Sequence, residues 1–364
     1  MQRIITSYQA AIGFPWRKYF PAIFFLAGFV WDALTIGKQV QQSDFIILSG
    51  YLVAAALILW WIAHHAQRAS VNQADAPILR LLPKAWREPA PYFLLQFLYG
   101  SLLSALFILY FKSAGHAYAL VWSVMLAGLL VGNEFLERHY QKNTIAWTMF
   151  GFCAMLLFNF LLPCLVGSID AAWFVLSTLA GAGLTHFFYK KSQQPLAHIA
   201  PTWVLAGILL FAYFADVIPP VPLVKQDVVI GTALEKSNGK YQLNIDSPAW
   251  WQVWRLLSND VHIAAGERVY CITAVFAPQS LQTRLYHHWQ FYNGKTWVTT
   301  SRISFALKGG RQAGFRGYTY KQNLQAGDWR VTVETENAHT LSTDAFTLVL
   351  EPASVKINRK LRPI

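Results

Sequence analysis

The sequence predicts an α-helical membrane bundle of seven transmembrane helices followed by an all-β, immunoglobulin-like antiparallel sandwich. Three observations predict it. The first 223 residues hold seven apolar runs of roughly twenty residues each, the length a helix rising 1.5 Å per residue needs to cross a hydrocarbon core of about 30 Å. Basic residues between those runs fall almost entirely in alternate gaps. From about Val224 onward the apolar period changes from helical to two, the period of a strand with one buried face.

The spans are expected at 20–36, 45–63, 92–110, 117–133, 144–166, 171–188 and 200–218. A hydrophobic content of 55% with 13% charged residues agrees, since soluble proteins carry about 25% charged residues. The net charge of +12 does not read as a nucleic-acid surface, because its placement follows the gaps. Arg3, Arg17 and Lys18 precede the first span. Arg68, Arg80, Lys84 and Arg87 follow the second, Arg138 and Lys142 the fourth, and Lys190 and Lys191 the sixth. The opposite loops hold only Lys38 and Lys112. The positive-inside rule then puts the N-terminus in the cytoplasm and everything past Pro219 outside it, in the periplasm of a bacterial inner membrane. The first apolar run starts too late and is too long for a cleaved leader, so it is expected to serve as an anchor.

Domain boundaries follow: a cytoplasmic tail at 1–18, the membrane domain at 19–218, a proline-rich linker at 219–223 and the β domain at 224–364. Pro219, Pro220 and Pro222 favour a stiff, extended connector that holds the β domain off the bilayer. Strands are expected at 228–233, 240–245, 268–276, 284–292, 296–306, 315–323, 328–335 and 346–350. Asn293-Gly294 between β-formers is the signal of a two-residue type I′ hairpin turn. Pro248 to Ser258, with Trp250, Trp251 and Trp254, fits either a short helix or an edge strand. Three cysteines, two of them in the fifth span, do not make a disulfide scaffold, and nothing places Cys164 and Cys271 at bridging distance.

Three stretches of the β domain carry a family likeness: Val269-Tyr270-Cys271-Ile272-Thr273; Leu285-Tyr286-His287-His288-Trp289 with Asn293-Gly294-Lys295; and Gly327-Asp328-Trp329-Arg330-Val331-Thr332-Val333 followed by Phe346. Together they resemble the bacterial domain of unknown function 2914, over roughly 267–350. The multi-span region before them is similar to the membrane half that often precedes that domain in proteobacterial proteins. The resemblance implies a fold and a location and supplies no substrate. Where the family has an Asp-Gly turn after the third stretch, this chain has Glu336-Asn337-Ala338-His339, which implies a wider hairpin.

Alternation puts Leu285, His287, Trp289 and Phe291 on one face of their strand, with Trp329, Val331 and Val333 facing them as a core. Tyr286, His288, Tyr292 and Arg330 are left on the outer face, where rings beside polar groups form a candidate binding surface. Adjacent His287 and His288 point to opposite faces and cannot share an ion, so no metal is expected there. Lys308, Arg311, Arg316 and Lys321, among glycines, form a basic stretch that is either a solvated loop or a contact for an anionic surface such as lipid headgroups.

In the membrane part, Asp32 and Asn159 are the polar groups at depth, and Asp216 falls near the outer end of the last span. Ser177 to Gly183 is a small-residue stripe suited to close helix packing. No nucleophile elbow, paired carboxylates or HExxH spacing occurs. The expectation is a non-enzymatic inner-membrane protein without cofactor, resting in the lipid bilayer, whose β-sandwich binds an envelope protein or polymer. A small transporter or sensor with its function in the bundle, at Asp32, is the rival.

Overall fold

The computed structural model describes residues 29–30, 42–69, 90–192, 195–237, 240–246, 260–278, 281–308, 314–352, 357 and 359–364. Among these residues six α-helices come first: α1 (Gln42–Ala69), α2 (Ala90–Ser113), α3 (Ala117–Asn133), α4 (Asn143–Val166), α5 (Ala171–Lys191) and α6 (Ala200–Phe214). Among the described residues five stretches are long and apolar enough to cross a membrane, where the sequence leads one to expect seven. The fourth expected span is present as α3, but its 17 residues rise only about 26 Å, short of a typical core. The first, 20–36, lies outside the described residues except for Phe29 and Val30.

Helix α4 is the centre of the bundle, with Trp147, Phe150, Met155 and Phe160 closed off from solvent. The small-residue stripe does what its composition suggests. A Cβ on Gly181 of α5 would stand 2.7 Å from the Met155 backbone of α4, and one on Gly151 of α4 would meet Thr202 of α6 at 2.5 Å. The last helix stops at Phe214, four residues early. Asp216 takes φ +55°, and the chain folds back so that Val217 and Ile218 donate to the Ala212 carbonyl at 2.9 and 3.3 Å.

Among the described residues the β domain has ten strands: β1 (Val224–Ser237), β2 (Lys240–Asp246), β3 (Asp260–Ala264), β4 (Val269–Phe276), β5 (Gln282–Tyr292), β6 (Trp297–Lys308), β7 (Phe315–Lys321), β8 (Gly327–Thr335), β9 (Thr340–Glu351) and β10 (Arg359–Pro363). They form two five-stranded sheets, β10-β2-β1-β4-β7 and β3-β9-β8-β5-β6. Every pairing is antiparallel except β3 with β9, so the second sheet is mixed. Strands β3 and β10 were not expected. The core between the sheets contains Leu285, Trp289, Trp329, Val331, Val333 and Cys271, which confirms the inward face assigned by alternation. The Asn293-Gly294 turn is wider than expected. Tyr292 pairs with Trp297, leaving a four-residue loop closed by Asn293 Oδ1, which accepts from the Lys295 and Thr296 amides. Gly294 supplies positive φ, at +85°, where Asn293 does not, so one side-chain cap replaces the type I′ geometry.

The proline connector does not stand in solvent. Ile218 to Val224 are buried throughout, with Ile218 and Val221 in the helical core and Leu223 in the β core. Apolar residues interleaved with the prolines make burial cheaper than extension, and the sandwich sits directly on the helix ends. The Leu341 carbonyl of β9 packs against Gly115, between α2 and α3, so closely that any side chain there would collide with it. The Gln282 amide reaches the Gly167 carbonyl after α4 at 3.4 Å. All three cysteines are free, with Cys271 sealed inside the β core.

Candidate functional site

The outer face of β5, β6 and β8 is built by register. Gln290 lies opposite Arg330 on β8 and Thr299 on β6; His288 lies opposite Thr332 and Arg302; Tyr286 lies opposite Glu334 and Ser304. Because side chains alternate, these rungs share one surface. Two clusters result. In the first, Arg330 donates from Nε to Gln290 Oε1 at 2.6 Å while its guanidinium lies 4.5 Å from the Trp297 ring, which in turn sits 5.2 Å from Tyr292. In the second, Glu334 holds His288 Nδ1 at 2.7 Å and Arg302 Nε at 3.3 Å, and Arg302 covers the Tyr286 ring at 4.0 Å. His288 Nε2 meets Thr299 Oγ1 at 2.8 Å.

Tyr286, His288, Tyr292 and Arg330 therefore do share a surface, half-buried and tied in place. Trp297, Arg302 and Glu334 complete it and were not singled out by sequence. Their signal is the cross-strand register, which a single strand's pattern does not contain. The arrangement offers ring faces backed by guanidinium groups, with polar edges between them. That suits stacking and hydrogen bonding to a ligand.

The basic stretch is not gathered into one site. Arg316 Nε donates to the Ile364 carbonyl at 2.7 Å, while Lys321, at the far end of β7, lies 5.3 Å from the Trp329 ring. Burial of Lys321 lowers its pKa below the usual lysine value. Lys308 is exposed at the end of β6, and Arg311 lies outside the described residues. Among the helix residues, Asn159 is buried in α4 and accepts from Thr178 Oγ1 of α5 at 3.2 Å, a helix-packing contact. Asp32 lies outside the described residues. The histidines of the opposite helix ends are held separately, His186 by Trp203 and His198 by Thr144.

Two polar centres join these. Asp216 sits at the seam between helices and sheets, where Oδ1 accepts the Thr340 amide at 3.0 Å and faces His339 Nδ1 at 3.4 Å. Its carbonyl accepts from His116 at 2.9 Å, and the His339 ring packs 4.1 Å from Tyr213. Burial pushes the Asp216 carboxyl up, but its bonds with His339 and Thr340 outweigh burial and hold it below the ordinary aspartate value. Inside the sandwich, His287 is wholly buried between two hydroxyls, Thr273 at 2.7 Å and Thr319 at 2.8 Å, and Trp289 Nε1 donates to the same Thr319 at 3.0 Å. Burial drives the His287 pKa down to about 3, so the ring is neutral. Burial likewise pushes the Cys271 thiol up, which makes it inert.

No curated protein matches the chain significantly. Among solved structures it is similar to an immunoglobulin-like protein from Pseudomonas aeruginosa, at 12% identity over 34% of this chain and 97% of that one, with a TM-score of 0.19. It is also similar to a β-glucosidase from Listeria innocua in complex with gluconolactone (9% identity, 35% of this chain, 16% of that chain, TM-score 0.19). An alkylpurine DNA glycosylase from Pseudomonas fluorescens bound to abasic-site DNA matches at 10% identity, over 91% and 99% of the chains, with a TM-score of 0.20. Scores this low bear on neither fold nor function. The sequence likeness is firmer: residues 282–348, from the start of β5 into β9, match the family described as "Protein of unknown function (DUF2914)", a range that takes in the second and third quoted stretches and leaves Val269–Thr273 outside it.

Proposed function

We propose that this chain is a non-enzymatic, multi-pass protein of the bacterial inner membrane. Its N-terminus is cytoplasmic, and it presents an immunoglobulin-like sandwich to the periplasm to bind an envelope protein or polymer. Seven crossings are counted by taking 20–36 as the first and α3 as a short fourth that the bilayer accommodates by local thinning. The β domain rests on the helix ends near Gly115, Gly167 and Asp216, while Arg138, Lys142, Lys190 and Lys191 lie toward the opposite ends. This polarity supports an outward β domain.

The observation that carries the binding role is the face of β5, β6 and β8, where Arg330 over Trp297 and Arg302 over Tyr286 hold ring faces ready for a partner. Pre-ordered aromatic and arginine groups are the kind that dominate binding surfaces, since little side-chain entropy is left to lose. The test is photocrosslinking from position 297 in native membranes, with Tyr286→Ala, His288→Ala and Arg330→Ala at matched abundance. Capture should fall in all three while the domain stays folded. An Asp32→Asn null beside three healthy surface variants would transfer the function to the bundle.

A further inference from the structure

The outer face of the other sheet carries a second aromatic surface. Tyr241 on β2, Tyr270 on β4, and Tyr318 and Tyr320 on β7 form a row, with successive ring centroids Tyr241–Tyr318 at 6.0 Å, Tyr318–Tyr270 at 6.4 Å and Tyr270–Tyr320 at 5.5 Å. The rings are tilted by 41° to 57° to one another, so none hides its neighbour's face by stacking on it. Tyr318 is 44% exposed and Tyr320 47%. A cation closes each end of the row: Lys236 lies 5.5 Å from the Tyr241 ring and Arg268 5.0 Å from the Tyr320 ring.

The row is a surface feature with its own foundation. Val229, Leu243, Ile245 and Ile272 form a small buried cluster on this sheet, and Tyr241 and Tyr270 pack against it. The phenols are thus anchored at their inner edges and open outward. Register places the row away from the bilayer. Tyr270 pairs with Tyr320 near the end of β4 opposite to Phe276, and Phe276 pairs with Val224, the residue that leaves the buried seam.

We propose that this row is a binding site for an extended glycan strand bearing acidic groups. Sugar rings present flat C–H faces that stack on aromatic rings, and successive rings along a strand match successive sugars along a chain. Phenol hydroxyls hydrogen-bond sugar hydroxyls, and the flanking Lys236 and Arg268 complement carboxylates or phosphates. A protein partner is the less suitable occupant. The aliphatic cluster against which Tyr241 and Tyr270 pack is buried, so the face offers phenol rings flanked by cations and little aliphatic surface to a protein's anchor residues. The site is distinct from the face of β5, β6 and β8, and it does not depend on that face binding anything.

The experiment uses the full chain in lipid nanodiscs, titrated calorimetrically with oligogalacturonate as the acidic probe and maltoheptaose as the neutral one. The wild type should bind the acidic probe saturably and more tightly than the neutral one. Tyr318→Ala combined with Tyr320→Ala should weaken binding by about tenfold or more, while Tyr318→Phe, which keeps the ring, should stay close to wild type. Arg268→Gln should weaken the acidic probe alone and flatten its salt dependence. Unaltered far-ultraviolet circular dichroism and melting temperature in the alanine pair would show that the loss belongs to the site. Absence of saturable binding to either probe, equal affinity for both, or full affinity in the alanine pair would overturn the proposal. Lys308 is exposed at the end of β6 and outside the row, so Lys308→Ala should bind as wild type.

Discussion

The Asp216 carboxylate and the His339 ring, one from just beyond α6 and the other from the β8–β9 turn, meet at 3.4 Å across the seam between helices and sheets. The same carboxylate caps the Thr340 amide at 3.0 Å, so one side chain fixes the hairpin's approach. Asp216→Ala should loosen the turn, at about 1.5–3 kcal/mol for a charge-assisted bond, visible as faster amide exchange at 336–341. Unchanged exchange would mean that packing at Gly115 alone seats the domain. The Asp216 pKa lies below its unfolded value, so its contribution is fully present above about pH 4 and is lost as pH falls through the lowered folded value.

His287 gives the β domain an acid sensitivity of its own. Its pKa is about 3 in the fold and about 6.5 in an unfolded chain, so between those values the unfolded state binds more protons. Stability should fall by about 1.4 kcal/mol for each pH unit below 6.5 until about pH 3. Urea midpoints followed by tryptophan fluorescence from pH 7 to 4 would measure this. An undiminished slope in His287→Gln would assign the sensitivity to other groups.

Trp289 is fully buried and donates to Thr319, so Trp289→Ala should destabilise the β domain by about 3–5 kcal/mol. Trp289→Phe keeps much of the volume but loses the bond, and should cost less. Equal costs would show that the indole nitrogen, and not the ring volume, is what matters.

In the bundle, Gly181→Leu should separate α4 from α5, because the colliding group is the Met155 backbone and cannot swing away. Gly183, two residues on, has nothing within 4 Å of an added Cβ, so Gly183→Ala should be tolerated. Melting of the detergent-solubilised chain should drop for the first variant only.

A reporter active only in the cytoplasm should be silent when fused after Ile364 and active when fused within 70–89. The reverse pattern would invert the proposed orientation of the whole chain.

Much of this architecture is legible residue by residue. Six of the seven apolar runs fall on helices among the described residues, and period two separates Leu285, Trp289 and Trp329 from Tyr286, His288 and Arg330 correctly. The misses share a physical cause, which is that they depend on partners remote in sequence. Strand β10 reads Arg-Lys-Leu-Arg-Pro, with no alternation. It is held by Arg359, which bridges Glu267 at 2.8 Å and Asp246 at 3.7 Å. Strand β3 is five residues long and pairs in parallel with distant β9. The candidate face was half visible: its β5 side chains follow from alternation, while Glu334, Arg302 and Trp297 enter only when register is known. Asp216 reads as an interfacial acid at a helix end, and its role in receiving a β hairpin has no local signature.

The burial of Ile218 to Val224 makes the two halves one mechanical body. A pull on the sandwich is not absorbed by a slack tether but is delivered as torque to α6, through Val221 and Ile218 in the helical core. Load arriving at the sheets would tilt α6 against the helices packed on it.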